Sequence, residues 1–347
     1  MTPLEKKAVL LCERYVYVEH GVNIDGYISR SSAGPGAGGE SINIEYSGSD
    51  SSGIHTKHRV RMAVSNDSGS RCHLKLSEKE LALTMDGDVL IDAVKILPVV
   101  CHSPTHAFIT ISSNCKYTCA FCNSPALDRA EKTDADIVRL TEKAVRMGVK
   151  SFALTSGIIH GTAVANNRLA RVAELIAKIV PDGVIGVETY VERKDELLTL
   201  KNAGVSEIKL NLQTSDRDIF RRVCPYLDYE AILERITDAI GIFGRGKVCS
   251  NIIIGMGEND ESVLNAVDML ATAGAVATIR PLSVNRGNRV RLENVIGDAI
   301  PKITPQRLLR LAEGHRKILA KNRLSAAAFK TMCHNCACCD IVPGVDI

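Results

Sequence analysis

From residue 104 to 325 the sequence alternates short apolar segments with stretches of helical periodicity, and it does so six times. Successive strand-to-helix connections of this kind predict an α/β fold with a parallel sheet and right-handed crossovers. Six units fall short of a closed eightfold barrel, so the expected core is a partial (βα)6 TIM-like barrel, open on one side. Two flanking regions lack the alternation. Residues 1–103 read as a small β-rich N-terminal domain, and residues 326–347 as a Cys-rich C-terminal tail.

The N-terminal stretch MTPLEKKAVLLCERY has acidic residues within its apolar run and is not read as a signal peptide. No apolar run reaches membrane-spanning length, so no membrane role is expected. The 347 residues are 45% hydrophobic and 24% charged, ordinary for a globular protein, and a net charge of +3 is too small to suggest a nucleic-acid partner. Twelve cysteines without a secretion signal point to metal rather than disulfides, and to a reducing, cytoplasmic setting. SSAGPGAGGES lacks the Lys-Ser/Thr ending of a phosphate-binding loop and reads as a flexible surface loop. SINIEY, HRVRMAV and KLSEKELALTMDGDVLIDAVKIL supply the alternating strands of the first domain.

In the barrel region AFITIS (107–112) is a strand, and DADIVRLTEKAVRMG is a helix ending at Gly148. SFALTS precedes NRLARVAELIAKIV, and GVIGVET precedes RKDELLTLKNAG. EIKLNLQTS leads to two helical segments through ILERITDAIGIFG. VCSNIIIGMG with ESVLNAVDMLATAG, and ATIRPLS with TPQRLLRLAEGHRKILAKN, complete the six units. Loops following the strands share one rim, where the chemistry of such folds sits. The last helix should end at the opposite, lower end. A tail free of helix would then have to climb back to reach the rim.

The loop after the first strand, SNCKYTCAFCNSP, carries Cys115, Cys119 and Cys122. A structural zinc closes its tetrahedron with four ligands, and the nearest candidates, His102 and His106, have no regular spacing. Three thiolates instead suit a cubane iron–sulfur cluster that leaves one iron open; zinc and merely clustered thiols are the alternatives. The tail KTMCHNCACCDIVPGVDI adds Cys333, Cys336, Cys338 and Cys339, with His334 as a substitute ligand. That density favours an auxiliary iron–sulfur cluster over structural zinc or unligated thiols.

CKYTCAFC, with Phe121 before its third cysteine, resembles the C-x3-C-x2-C signature of radical S-adenosylmethionine (radical SAM) enzymes. From about 107 to 285 the chain resembles the biotin synthase branch, through VETYVERKDELLTLKNAGVSEIKLNLQTS followed by KVCSNIIIGMGE. The resemblance implies a [4Fe-4S] cluster on Cys115, Cys119 and Cys122, whose open iron binds S-adenosylmethionine. It implies cofactor contacts at Phe121, Ser156, Gly157, Glu188, Asn211, Gln213, Arg221 and Ile253. Asn211 and Gln213, two apart, would point the same way on a strand. His160 is read as a solvated loop residue.

There are departures from that branch. The acidic residue often found beside Ser156 and Gly157 is missing, and only Cys249 matches the internal cluster cysteines of biotin synthase, Tyr190 standing where another is expected. A sulfur donor would therefore have to be the tail cluster. The implied activity is reductive cleavage to a 5'-deoxyadenosyl radical that removes hydrogen from a small-molecule substrate, with sulfur insertion in cofactor biosynthesis as one outcome. Radical rearrangement, fragmentation or methylation without sulfur loss is another, and a non-catalytic iron–sulfur scaffold is a third. The implied electron donor is a low-potential protein such as ferredoxin or flavodoxin.

Overall fold

The computed structural model describes residues 1–30, 39–50, 52–77, 80–124, 127, 129–297 and 300–347. Most of SSAGPGAGGES, read above as a flexible loop, lies outside the described residues. The chain opens with helix α1 (Pro3–Glu13), which the sequence reading did not single out. Its signal is nonetheless local. Thr2 and Glu5 form a reciprocal capping box and Pro3 occupies the first turn, where its missing N–H costs nothing. The helix stops at Arg14, in left-handed conformation with φ 67°.

The β-rich region forms a seven-stranded sheet of β1 (Tyr15–Val18), β2 (Ser29–Arg30), β3 (Glu40–Ser49), β4 (His55–Ser65), β5 (Cys72–Ser77), β6 (Glu80–Met85) and β7 (Asp88–Ile96). The order is β2-β3-β4-β1-β5-β6-β7, and β3 also pairs β7, so the sheet curls back on itself.

A second sheet holds β8 (Ala107–Thr110), β9 (Ser151–Thr155), β10 (Val184–Glu188), β11 (Glu207–Lys209), β12 (Val248–Ile254) and β13 (Val276–Pro281), in sequence order and wholly parallel. Among the described residues β8 and β13 do not pair with each other, which is the open side of a partial barrel. Around it lie α2 (Asp134–Arg146), α3 (Thr162–Ile179), α4 (Lys194–Asn202), α5 (Arg217–Val223), α6 (Tyr229–Phe243), α7 (Asp260–Ala273), α8 (Arg289–Ile296) and α9 (Pro305–Lys321). Gly148, with φ 74°, follows α2 as expected. One correction concerns β11. It ends at Lys209, and Gln213 has φ 70°, so Asn211 and Gln213 do not share a regular strand.

The path of the tail runs through the barrel. Helix α9 ends at the lower end, and the chain climbs back from there through the interior. Glu207, the first residue of β11, is fully buried and accepts hydrogen bonds from Lys330 N, Thr331 N and Thr331 Oγ1. Opposite, Gly186 in β10 leaves the room that Thr331 and Met332 occupy; a Cβ there would overlap Thr331 Oγ1. The tail thus enters the lumen from below. It is not free of helix, since α10 (Met332–Cys336) carries the first cysteine up to Lys209 Nζ, 3.5 Å from Cys333 Sγ.

The tail also joins the two sheets. Lys7 Nζ in α1 donates to Asp346 (2.6 and 2.7 Å) and to Ala337 O (2.6 Å), with His58 Nδ1 3.1 Å from the same carboxylate. Arg61 N in β4 donates to Cys338 O at 2.7 Å. All of these groups except Arg61 are buried.

Candidate active site

Cys115, Cys119 and Cys122 follow β8 and line a cavity of about 250 Å³ on the upper rim. The loop is pinned to β9 by Gly157 N to Ser112 O (2.9 Å) and Lys116 N to Ile158 O (2.6 Å). Gly157 is required there. A Cβ would collide with Asn114 O and lie 3.1 Å from Cys115 Cβ. All three cysteines are free thiols. Burial pushes the Cys115 and Cys122 thiols up, whereas Cys119 is held below the usual thiol range by a hydrogen bond with Cys224, buried just after α5. Three unpaired thiols facing one cavity fit the three-thiolate cluster.

The remaining expected cofactor positions fall on the same cavity, with one exception. Phe121, Ser156 and Gly157 line it beside the cysteines, and Glu188, Asn211, Gln213 and Ile253 line the strand ends. Asn211 Nδ2 donates to Glu188 Oε1 at 2.7 Å, while its Oδ1 accepts from Asn251 N at 3.1 Å, so its amide is locked. Burial would push Glu188 up, but Lys209, Asn211 and Arg280 outweigh it and hold the carboxylate below its ordinary pKa. Just after Ile253, Glu258 accepts from Gly255 N and Met256 N (2.7 and 2.8 Å) and shapes a turn whose glycines have φ 102° and 113°. Arg221 is the exception. It lies on the outer face of α5, 76% exposed and paired with Asp218, because Ile219, Phe220 and Val223 take the buried face. His160 is exposed, as expected.

Deeper in the lumen, all four tail cysteines line a second, smaller cavity together with His102, Ser103 and His106. His106 is 1% exposed, and among the described residues neither its Nε2 nor His102 Nδ1 has a partner. Orphaned nitrogens at this depth are costly unless something absent from the polypeptide meets them. His334, the substitute ligand expected from sequence, turns away: its Nε2 is 3.0 Å from Ala277 O, and its ring stacks on Phe329. Cys336, hydrogen-bonded by Cys338, has its pKa pulled down to about 7. Among the described residues no three His, Cys, Asp or Glu side chains are arranged for a single metal ion. Cys333 lines both cavities.

Residues 109–270 match the radical SAM superfamily. That stretch, a little under half of the chain, is a radical SAM domain. The match spans the three-cysteine loop and the first five barrel strands. Curated relatives include a probable GTP 3',8-cyclase of Thermococcus kodakarensis, 25% identical over 52% of this chain and 58% of its own length. A biotin synthase of Campylobacter concisus is 27% identical over 60% of this chain and 79% of its own. A lipoyl synthase of Corynebacterium urealyticum is 31% identical over 52% and 53%. The chain thus spans little more than half the length of the cyclase and the lipoyl synthase. The crystal structure of a methylornithine synthase has the same fold, with TM-score 0.54 at 17% identity, covering 68% of this chain and 71% of that one.

Several residues around this radical SAM core escaped the sequence reading: Arg61, Lys209, Cys224 and Arg280. Two had a usable signal. Lys209 in EIKLNL and Arg280 in ATIRPLS are charged residues inside apolar strands, which demand a partner. Cys224 and Arg61 had none, since their position depends on long-range packing.

Proposed function

We propose that this radical SAM enzyme acts on a small molecule at an unactivated carbon and inserts sulfur there, the tail cysteines holding the donor cluster. One observation carries the reading: Cys333 lines the same cavity as Cys115, Cys119 and Cys122. When bound, a cluster with an open iron and S-adenosylmethionine would supply hydrogen-atom abstraction at the cost of one low-potential electron, and an auxiliary cluster would supply sulfide together with a ferric iron to take the electron released as the C–S bond forms.

The chain's own residues provide the setting. Cys115, Cys119 and Cys122 ligate the first cluster; Cys333, Cys336, Cys338 and Cys339 hold the second. Phe121, Ser156, Gly157, Glu188, Asn211, Gln213 and Ile253 hold and orient S-adenosylmethionine. The plugged lumen excludes water from below, and the β-rich sheet screens the open side. A ferredoxin- or flavodoxin-like protein delivers the electron.

The test is single-turnover product analysis after reconstitution with labelled sulfide. Label in the product, with loss of one cluster, supports insertion. Unlabelled product with the tail cluster intact transfers the assignment to radical rearrangement, fragmentation or methylation.

A further inference from the structure

Between β4, the end of α1 and β13 lies a cavity of about 570 Å³ that shares only Ile253 with the cofactor contacts assigned above. Three of its walls are guanidinium groups: Arg14, Arg61 and Arg280. Arg14 donates to Pro281 O, Arg61 donates from Nε to Ser41 Oγ (2.7 Å) with Nη1 3.3 Å from His102 Nε2, and Arg280 donates from Nη2 to Cys333 Sγ. Among the described residues none of the three has a carboxylate at ion-pair distance. Among the described residues Arg280 Nε is buried without a hydrogen-bond partner.

The charge balance of this chamber is one-sided. Arg286 is a fourth cationic wall residue, whereas the acidic wall residue among the described ones, Glu40, is paired with Arg30, and Asp340 and Glu188 act on Arg280 only from beyond ion-pair distance. Lys209, the other buried cation nearby, is already offset by Glu188 at 3.4 Å. Burial depresses both Arg14 and Arg61, and Arg280 adds repulsion that Cys339 partly offsets. Thiolates on a tail cluster would offset part of this, yet S-adenosylmethionine brings a further positive sulfonium. Like charges gathered around a cavity of this size are tolerable when an oxyanion ligand fills it.

We propose that this chamber is the substrate site, and that it takes a small molecule with a carboxylate or phosphate end gripped by Arg14, Arg61 and Arg280. Leu11, Val64 and Ile253 supply apolar wall for the rest of the molecule. Arg61, Ile253 and Arg280 also line the cavity of the three-cysteine loop, and Cys339 reaches the chamber from the tail. A ligand anchored there extends between the two cysteine groups. The assignment of this ligand as substrate rests on the function proposed above; the anion site itself does not.

The test is isothermal titration of the anaerobically reconstituted protein at low ionic strength with inorganic phosphate, glutarate and neutral glutaramide. The wild type should bind at least one anion and not the amide, the tighter anion naming the end group. Arg14→Asn should weaken that binding about tenfold to a hundredfold, as expected for losing a charged hydrogen bond. Asn tolerates left-handed φ better than Arg, so this change favours the backbone at position 14. Arg71→Gln, on the exposed sheet surface, should bind as wild type does. Independently of any variant, the bound anion should protect Arg14 and Arg61 from phenylglyoxal, read by peptide mass spectrometry. No anion binding, equal binding by R14N, or no protection overturns the site. Anion binding without 5'-deoxyadenosine formation keeps the site and removes the radical function; 5'-deoxyadenosine formation without anion binding does the reverse.

Discussion

Replacing Gly186 by Ala should unseat the tail while leaving the barrel folded. The new Cβ would overlap Thr331 Oγ1, stand 2.9 Å from Met332 Cε and stand 3.0 Å from Thr331 Cβ. Met332 has a flexible end that can move. Thr331 cannot, because its Oγ1 is held by Glu207 at 2.7 Å and its N–H by the same carboxylate at 3.0 Å. Overpacking of this kind costs about 1–3 kcal/mol, which shifts the seated-to-unseated ratio of the tail roughly fivefold to 150-fold. Hydrogen–deuterium exchange should show faster exchange across residues 330–339 but unchanged protection in β8 to β13. Iron should fall towards the content of a single cluster while 5'-deoxyadenosine formation persists. Unchanged tail protection and unchanged iron in G186A would refute the inserted path.

Gly157→Ala should displace Cys115 through its clash with Asn114 O, lowering iron at the first cluster and abolishing 5'-deoxyadenosine, with retained circular dichroism as the folding control; normal cofactor cleavage would refute it. Single Ala substitutions of Cys115, Cys119 or Cys122 should have the same effect on cleavage, whereas joint substitution of Cys333, Cys336, Cys338 and Cys339 should remove about one cubane, four irons, and spare cleavage. Asp346→Asn should cost about 3–5 kcal/mol in denaturant unfolding at neutral pH, since buried Lys7 loses its counter-charge. Burial raises the Asp346 pKa, but Lys7 and His58 outweigh it and keep it low, so its stabilisation is full above the ordinary carboxylate range. That stabilisation is lost as pH falls through the folded value, and D346N should flatten this acid limb; an unaltered acid limb would refute the pairing.

Local and periodic features are legible in the chain alone. Strand–helix alternation marks six parallel units, and the spacing of Cys115, Cys119 and Cys122 within one loop makes three candidate ligands legible, because all three are carried by contiguous chain. Strand-end residues such as Glu188, Asn211 and Ile253 were placed on the rim for the same reason: a strand's end is set by its own pattern. Arg221 was not, because which face of α5 turns inward depends on its neighbours. What only the tertiary structure decided concerns partners far apart in sequence. Glu207 meets Thr331 across 124 positions, and Lys7 meets Asp346 across 339. No periodicity encodes such pairings, which arise because a buried carboxylate or ammonium must find an opposite group once the lumen closes. That requirement, together with the space left by Gly186, draws the cysteine-rich tail inside the barrel rather than around it.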